Sequence, residues 1–472
     1  MKLKKEVIFV IEELNKAGFE AYAVGGCVRD FLIGKEPKDW DIATSALPEE
    51  IQGLFSKTIY INKFGTVTVF IETFQIEVTT YRIDADYSDK RHPDSVEYTK
   101  NLKEDLKRRD FTINAMALGS SGEIIDPFDG QKDLKNKEIR AVGNPEDRFK
   151  EDALRLMRAV RFASQLNFKI EEDTEREISL LSGNIAFVSK ERIRDEIVKI
   201  VISDNPKYGF DLMLKLNLLK FVIPETFSGV GVGQNKHHIY DVYEHNINAL
   251  QYTAEQKYSL EVRLGALFHD VAKPQTKQGD GYNSTFYNHD IVGAKITRNI
   301  MKRLKFSNEE IDKVVLLVRY HLFYYNVDEV SESSVRRLVS KVGLENMEDL
   351  IKVRYADRIG SGTPKAEPYK LRHFKYMIDK VSKDPISVKM LKINGADLMK
   401  LLDIKPGPKV GLILNALLSD VLDDSNRNHK EYLEKRVKEL NEFSISDLSG
   451  MVKKSEESIE IIEKEEKKKF RV

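Results

Sequence analysis

The chain has a single cysteine among its 472 residues, Cys27, and no excess of charge of either sign. One cysteine excludes an intramolecular disulfide and any zinc site built from several cysteines, and it favours a reducing, cytoplasmic location. Lysine plus arginine equals aspartate plus glutamate, at 76 residues each. Any surface for nucleic acid must therefore come from local clustering of charge.

Long apolar runs are also absent: none approaches the roughly 20 residues that a membrane-spanning helix needs. Residues 3–17 have instead the apolar spacing of an amphipathic helix, so we expect a soluble protein with no membrane segment. There is no internal repeat. At 472 residues the chain exceeds the size of a single hydrophobic core, which predicts two to four domains.

The stretch 25–41, GGCVRDFLIGKEPKDWD, is the one around which the chain is organised. Its two leading glycines precede a short predicted helix, where backbone amides can approach an anionic ligand. Asp39 and Asp41 lie two residues apart in a predicted strand, which places both carboxylates on one side. Two carboxylates beside a phosphate site can hold Mg²⁺, so the stretch predicts nucleotide addition.

Two strands rich in β-branched residues are predicted at 66–71 and 74–81. Glu77 lies in the second strand, between apolar neighbours that must face the opposite side. It is therefore either an ordinary solvent-facing acid or a third carboxylate that faces Asp39 and Asp41.

The segment 106–117, LKRRDFTINAMA, supplies a second group of polar residues. The guanidinium of Arg109 can bind two phosphate oxygens, and Asp110 and Asn114 have the donors and acceptors that a ribose hydroxyl needs. The alternative is a solvated arginine pair followed by a helix-capping asparagine.

A basic helical region follows at 147–163, DRFKEDALRLMRAVRFA, with five basic and two acidic residues between 148 and 161. Arg155, Arg158 and Arg161 recur every three residues and form one stripe, and Asp152 precedes Arg155 by three. The alternative is an exposed helix with salt bridges. An aspartate and an arginine in fixed geometry can also read the Watson–Crick edge of a base.

These motifs, in this order, resemble the class II tRNA nucleotidyltransferases, the family of bacterial CCA-adding enzymes and poly(A) polymerases. The resemblance implies an α+β fold, with a polymerase-beta-like nucleotidyltransferase head built on a mixed β-sheet, followed by an all-α body, an HD domain and a helical tail. It also implies that CTP and ATP are added to the tRNA 3′ end without a nucleic-acid template. Two Mg²⁺ ions would act at the catalytic residues Asp39, Asp41 and Glu77. The implied nucleotide-binding residues are Gly25, Gly26, Arg29, Arg109, Asp110, Asn114, Asp152, Arg155, Arg158 and Arg161.

Histidines in the second half resemble the metal ligands of HD phosphohydrolases. The resemblance implies a divalent metal, a transition metal among the options, held by His245, His269, Asp270 and Asp357. His289 and His321 either complete a second metal position or only form hydrogen bonds. HD domains occur in some bacterial CCA-adding enzymes, and degenerate HD domains also exist.

The predicted domains are a head at 1–140, a helical body with the base-reading helix at 141–230, an HD domain at 231–365, a tRNA-binding helical tail at 366–442 and a charged C-terminus at 443–472. A loop predicted at 84–99 resembles one that the family carries in enzymes adding the terminal A. Three alternatives stay open: an A-adding enzyme, a poly(A) polymerase, and an HD phosphohydrolase with an inactive RNA-binding head. The oligomeric state is also open.

Overall fold

The computed structural model describes residues 3–60, 65–84, 96–235, 239–327 and 329–451. The chain divides into two compact units. Unit 1 comprises Met1–Phe227 with Arg303–Lys305, and unit 2 comprises Ser228–Lys302 with Phe306–Val472. The finer division into five segments stays a prediction.

Unit 1 begins with a mixed β-sheet, as the sequence predicts. The strands of unit 1 are β1 Ala21–Val24, β2 Asp41–Thr44, β3 Thr58–Tyr60, β4 Thr66–Ile71, β5 Phe74–Thr80, β6 Arg82–Asp84, β7 Val96–Tyr98, β8 Ala117–Leu118, β9 Ile124–Ile125, β10 Glu138–Ile139 and β11 Lys169–Ile170. Strands β6 and β7 form a separate pair, as do β10 and β11. The order across the main sheet is β3-β4-β5-β2-β1-β8-β9. Strands β2 and β5 run parallel, and the other neighbouring pairs in this sheet are antiparallel.

The helices of unit 1 cover the sheet and then continue as a helical body. They are α1 Lys5–Lys16, α2 Gly26–Leu32, α3 Pro48–Leu54, α4 Leu102–Lys107, α5 Gly130–Asn136, α6 Pro145–Glu151, α7 Leu154–Leu166, α8 Glu172–Leu181, α9 Lys190–Val201, α10 Pro206–Lys215, α11 Leu219–Val222 and α12 Pro224–Phe227. Helix α1 buries Val7, Val10, Ile11 and Leu14 at helical spacing, which confirms the amphipathic helix predicted at the start.

Unit 2 is helical in its described part. Its helices are α13 Val242–Glu255, α14 Leu260–Phe268, α15 Lys273–Thr276, α16 His289–Arg303, α17 Asn308–Tyr320, α18 Glu332–Val342, α19 Leu344–Gly360, α20 Tyr369–Val381, α21 Gly395–Leu402, α22 Pro408–Asp423 and α23 Lys430–Asn441. One buried cluster includes Leu317, Leu350 and Phe374, and a second joins α21, α22 and α23. None of the helices in the described ranges combines the length and apolar composition that crossing a bilayer requires.

Three local predictions need correction. Strand β2 begins at Asp41, and Asp39 lies in the preceding bend. The region 147–163 is not one helix, because the backbone is extended at Asp152, between α6 and α7. Residues 82–84 and 96–98 form the paired strands β6 and β7, so the predicted loop is shorter than 84–99. Its remaining residues, 85–95, and residues 452–472 of the C-terminus lie outside the described residues.

Candidate nucleotide site and metal centre

A cavity of about 460 Å³ lies in unit 1, where β2, α2, α7 and α9 supply its walls. Seven arginines and three aspartates line it, so a polyanion such as a nucleoside triphosphate fits its charge. Its lining residues are Gly25, Gly26, Arg29, Asp41, Arg108, Arg109, Asp110, Asn114, Asp152, Leu154, Arg155, Arg158, Arg161, Phe162 and Arg192. Every nucleotide-binding residue that the sequence predicts is therefore at this cavity.

A buried carboxylate, Asp110, ties together elements that are far apart in sequence. Its Oδ2 accepts from Arg158 Nε at 2.7 Å, and its Oδ1 accepts from Asn114 Nδ2 at 3.2 Å. Asn114 Oδ1 in turn accepts from Arg29 Nη1 at 2.8 Å, which links α7 to α2. Burial acts to raise the pKa of Asp110, but the Arg158 guanidinium holds it at about 2, so the group stays ionised. Asp110 and Asn114 were predicted to bind ribose, and both are engaged here in positioning arginines.

The Gly25 backbone leaves just enough room for an arginine. Its φ is +81°, and a Cβ added there would lie 2.9 Å from Arg109 Nη1 and 3.9 Å from Asp41 Oδ2. Arg109 Nη2 also donates to the buried Asp105 Oδ2 at 3.3 Å. Glycine is therefore required both by conformation and by the close approach of the guanidinium.

Two of the three predicted catalytic carboxylates lie on neighbouring strands of the sheet, and the third, Asp39, lies in the bend before β2. Asp41 and Glu77 are opposite each other in the parallel β2–β5 pair, and both are exposed. Trp40 is buried, and its neighbours Asp39 and Asp41 are both exposed. The exposure of both carboxylates beside the buried Trp40 is consistent with the predicted shared side, although Asp39 precedes the strand.

The electrostatics of this group fit a cation. Although Asp41 retains solvent exposure, partial desolvation of its carboxyl group by the surrounding protein raises its pKa to about 6. Arg109 opposes this shift, and the charges of Glu77 and Asp39 add to it. Among the described residues, the three carboxylates are not gathered as a ligand set with oxygens within 4.8 Å of one another. Because like charges repel, a divalent cation is what would draw them together.

The two predicted base readers are both present but are not paired with each other. Asp152 accepts from the guanidinium of Arg192, at 3.2 Å to Oδ1 and 2.6 Å to Oδ2. Arg155 Nη1 donates to Glu151 Oε2 at 2.6 Å, and its Nη2 donates to the Arg108 carbonyl at 2.9 Å. The predicted pairing of Asp152 with Arg155 is therefore wrong, because the chain leaves the helix at Asp152.

The arginine stripe of α7 is confirmed, but its members have different environments. Arg158 is bound to Asp110, whereas Arg161 Nε lies 2.6 Å from Glu196 Oε2 on α9. The Arg161 guanidinium also lies over the Phe162 ring, 3.8 Å from its centroid. Burial lowers the pKa of Arg161 to about 10, so it remains charged at neutral pH.

A second cluster of functional groups lies in unit 2 and contains the four predicted HD ligands. His245 Nε2 is 2.8 Å from His269 Nε2 and 3.1 Å from Asp270 Oδ2. Asp357 Oδ1 lies 3.4 Å from His245 Nε2 and 3.7 Å from His269 Nε2. Both histidines are fully buried, and the four ligand atoms lie within 4.8 Å of one another. The sequence prediction that these residues meet is therefore consistent with the fold.

Charged neighbours orient this cluster and favour positive charge at its centre. Arg354 Nη1 donates to Asp357 Oδ2 at 2.6 Å, which turns Oδ1 toward the histidines. Lys273 Nζ lies 2.6 Å from Asp270 Oδ2. Burial opposes protonation of His269, but Asp270 and Asp357 raise its pKa to about 10. A site that stabilises a buried cation so strongly fits a divalent metal.

Comparison with known proteins assigns the chain to a family. Residues 21–140 match the "Poly A polymerase head domain", residues 167–229 the "Probable RNA and SrmB-binding site of polymerase A", and residues 284–437 "tRNA nucleotidyltransferase domain 2". A CCA-adding enzyme of Ligilactobacillus salivarius (strain UCC118) is 38% identical over 445 residues, covering 93% of this chain and 98% of the relative. The chain belongs to the CCA-adding enzyme family of tRNA nucleotidyltransferases.

Other CCA-adding enzymes are also similar to this chain over most of its length. The enzyme of Enterococcus faecalis (strain ATCC 700802 / V583) is 36% identical over 440 residues, covering 91% of this chain and 94% of the relative. The crystal structure of the Bacillus stearothermophilus CCA-adding enzyme in complex with CTP matches with a TM-score of 0.70 and 29% identity. The match covers 93% of this chain and 98% of the Bacillus stearothermophilus chain. The predicted class and its mixed-sheet head with a helical body are confirmed.

Sequence reasoning missed several residues of these two sites. Arg192 and Arg108 line the cavity, and Arg354 and Lys273 contact the HD ligands. Lys273 follows Asp270 by one helical turn, and this spacing could have indicated a contact. Arg192 gave no such signal, because it lies 40 residues from Asp152. Cys27 is a buried side chain, and burial raises the pKa of its thiol to about 11.

The close approach at Gly25 predicts the effect of adding a methyl group. Gly25→Ala should lower the rate of nucleotide incorporation at least tenfold, because the methyl group displaces Arg109 from the cavity; the order of magnitude follows from about 1.4 kcal/mol of lost contacts and strain. Gly34→Ala is the matched control, since Gly34 also has a positive φ, +75°, but a Cβ there meets nothing within 4 Å. Equal incorporation rates in the two variants would contradict the role of the close approach.

Proposed function

We propose that this protein adds CCA to the 3′ end of tRNA, using CTP and ATP and no nucleic-acid template. The observation that carries the proposal is one cavity lined by a glycine turn, by Asp41 at the start of the central strand β2 and by an arginine-rich helix. The relatives that cover nearly the whole chain bear the name CCA-adding enzyme, which supports the same reaction. Arginines in the cavity would bind the triphosphate, and Asp152 and Arg155 would face the base.

The catalytic step requires charge compensation at the carboxylates. Asp39, Asp41 and Glu77 would hold two Mg²⁺ ions, which when bound activate the tRNA 3′-hydroxyl and stabilise the pyrophosphate that leaves. The protein's own residues would position the triphosphate. The glycine turn at 25–26 lets Arg109 approach Asp41, and both of these side chains line the cavity. A triphosphate bound there would have its reacting phosphate next to both.

The metal role of the carboxylates predicts the effect of removing one. Asp39→Ala should reduce incorporation of labelled CTP into tRNA that lacks CCA by several orders of magnitude, while far-UV circular dichroism and the melting temperature stay near those of the wild type. Glu36→Ala, at an exposed acid in the same segment, is the control and should retain activity. Appreciable incorporation by Asp39→Ala would remove the metal assignment.

Base selection by side chains predicts a second result. Arg155→Ala should relax discrimination, so that UTP and GTP compete better with CTP and ATP by roughly tenfold or more, since one good base contact is worth about 1–3 kcal/mol. The ratio of kcat/KM values for single-nucleotide addition measures this. A variant that is slower but equally selective would assign Arg155 a structural role through Glu151 instead.

The extent of addition separates the proposed reaction from its close alternatives. We expect tRNA ending at the discriminator base to gain C, C and A in order when CTP and ATP are supplied. An A-only enzyme would extend tRNA ending in CC but not the shorter substrate. A poly(A) polymerase would instead add a long A tail with ATP alone.

A second candidate function is favoured by the buried cluster in unit 2. Two histidine nitrogens and two carboxylate oxygens within 4.8 Å of one another make a ligand set suited to a divalent metal. We propose that His245, His269, Asp270 and Asp357 hold such a metal in a phosphohydrolase site. A metal there would polarise a phosphate ester and lower the pKa of a water molecule. The chain's own part is to orient the ligands, through Arg354 on Asp357.

The two candidate functions predict separable variants. His269→Ala should abolish metal-dependent hydrolysis of bis-p-nitrophenyl phosphate and leave nucleotide incorporation unchanged, whereas Asp39→Ala should do the reverse. His373→Ala, which changes a histidine outside the ligand cluster, is the control for hydrolysis. If the head were only an inactive RNA-binding platform, Asp39→Ala would be harmless to every measured activity.

A further inference from the structure

One aromatic ring lies against three of the arginines that line the nucleotide cavity. Phe162 on α7 lines the same cavity, and it is only 5% exposed. The guanidinium carbons of Arg161, Arg29 and Arg158 lie over its ring, at 3.8, 5.1 and 5.4 Å from the ring centroid. Two of these arginines are on α7 and the third is on α2, so the ring connects elements that are distant in sequence.

The three guanidiniums repel one another, although a carboxylate pairs with each of them. These ion pairs are Arg158 with Asp110, Arg161 with Glu196 and Arg29 with Asp30. Burial is the main reason why the pKa of Arg161 falls to about 10; Glu196 opposes the fall, and the charges of Arg158 and Arg29 add to it. Repulsion between the cations therefore acts against their grouping at one place.

The face of a benzene ring supplies an attraction that opposes this repulsion. Its π-electrons make the face negative, so a guanidinium within about 6 Å of the ring centroid is attracted, most strongly where water is excluded. All three guanidiniums are within that distance, and the Phe162 side chain is buried. A leucine at this position would keep apolar contacts but would lose the attraction to the ring face.

A second aromatic residue fixes the plane of the Phe162 ring. Phe111 is fully buried, and its ring centroid lies 5.8 Å from that of Phe162, with an angle of 81° between the two planes. Edge-to-face pairs of this kind are a favourable geometry for aromatic rings. Phe111 directly follows Asp110, which accepts from Arg158, so one stretch of chain positions both the ring and an ion pair.

Two other roles for the Phe162 ring agree less well with its surroundings. A residue that only filled the core would have apolar groups over its ring, not guanidiniums. A platform for a nucleobase needs an open face, and an exposed fraction of 5% leaves little of either face for a base. The cations over the ring favour a role toward phosphates, which are the groups that guanidiniums bind.

We propose that Phe162 is a positioning residue, whose ring groups three guanidiniums so that they bind the phosphates of the incoming nucleotide together. This inference rests on the proposed function, in which the cavity arginines bind the triphosphate. Phe162 acts through the arginines and does not itself contact the nucleotide. Weakening its ring face should therefore reduce the binding of CTP and ATP alike, without changing which base is selected.

Fluorinated phenylalanines at position 162 of the full chain test this role. Each added fluorine makes the ring face less negative and changes the shape of the ring little, so rings with one, two and three fluorines form a graded series. We expect the KM values for CTP and ATP to rise with each fluorine, by about tenfold over the series. The kcat values should stay within about twofold of the wild type, because binding that is equal in the ground and transition states affects KM alone.

Inorganic tripolyphosphate separates the phosphate role from base stacking, because it has phosphates and no base. We expect its dissociation constant, measured by titration calorimetry, to rise across the fluorinated series by about the same factor as that of CTP. A ring that stacked on the base would instead alter CTP binding and leave tripolyphosphate binding unchanged. That result would overturn the inference.

A natural substitution gives the same contrast. Phe162→Leu removes the ring face and should raise the KM values for CTP and ATP by about tenfold or more, while the selectivity against UTP and GTP stays that of the wild type. Arg155→Ala, in contrast, should change the selectivity. Relaxed selectivity in Phe162→Leu would assign the ring to base recognition and contradict the proposed role.

Phe210 provides the matched control. It is fully buried on α10 of the same unit and is not one of the residues that line the cavity. The trifluorinated ring at Phe210 should leave KM and tripolyphosphate binding within about twofold of the wild type, since the ring keeps its volume and packing. A rise as large as that at Phe162 would assign the effect to packing and overturn the inference. Melting temperatures check the folding of every variant.

The remaining outcomes separate this inference from the proposed function. If CTP and tripolyphosphate binding stay constant across the Phe162 series, the inference is overturned and the proposed function stands. If the wild-type protein binds neither ligand in the presence of Mg²⁺, the proposed function is overturned together with the inference.

Discussion

The nucleotide cavity depends on one constraint: seven arginines must be held close together in a protein with no net charge. Guanidiniums repel one another, so each needs an acceptor that fixes its position. Asp110 provides the central one, because it binds Arg158 directly and reaches Arg29 through Asn114. Acids on other elements hold the remaining arginines, as Glu151 does for Arg155 and Glu196 does for Arg161.

Under the proposed function, this arrangement would allow a cavity without a nucleic-acid template to distinguish nucleotides. Arginines that are already paired do not collapse onto the nearest acid when a triphosphate enters, so their geometry is set before binding. The base then meets side chains with defined donors and acceptors. The same principle applies in unit 2, where Arg354 and Lys273 contact the carboxylates that would bind metal.

The sequence was most informative where function depends on neighbours in the chain. The glycine turn, the β-branched strands at 66–71 and 74–81, the α7 arginines and the His269–Asp270 pair all lie where their local patterns predict. The pattern failed at Asp39, which lies in the irregular segment between α2 and β2, because β2 begins only at Asp41. Burial of Trp40 nevertheless keeps Asp39 and Asp41 exposed together.

Partners that meet only through tertiary packing could not be predicted. The spacing of Asp152 and Arg155 suggested a pair, but an extended residue between α6 and α7 turns the carboxylate toward Arg192 instead. Likewise, the sequence left two roles open for His289 and His321, because nothing in their spacing shows that both rings face Asp270. Ring orientation follows from the backbone carbonyls that accept from Nδ1, and these depend on where each helix begins and ends.

A crystal structure of the protein with CTP and Mg²⁺ would show whether the arginine cavity binds the nucleotide and contacts its base. We expect the triphosphate to lie beside Gly25 and Asp41, with the cytosine amino group within hydrogen-bonding distance of Asp152 Oδ2. A nucleotide bound outside this cavity, or one whose base faces away from both Asp152 and Arg155, would contradict the proposed function.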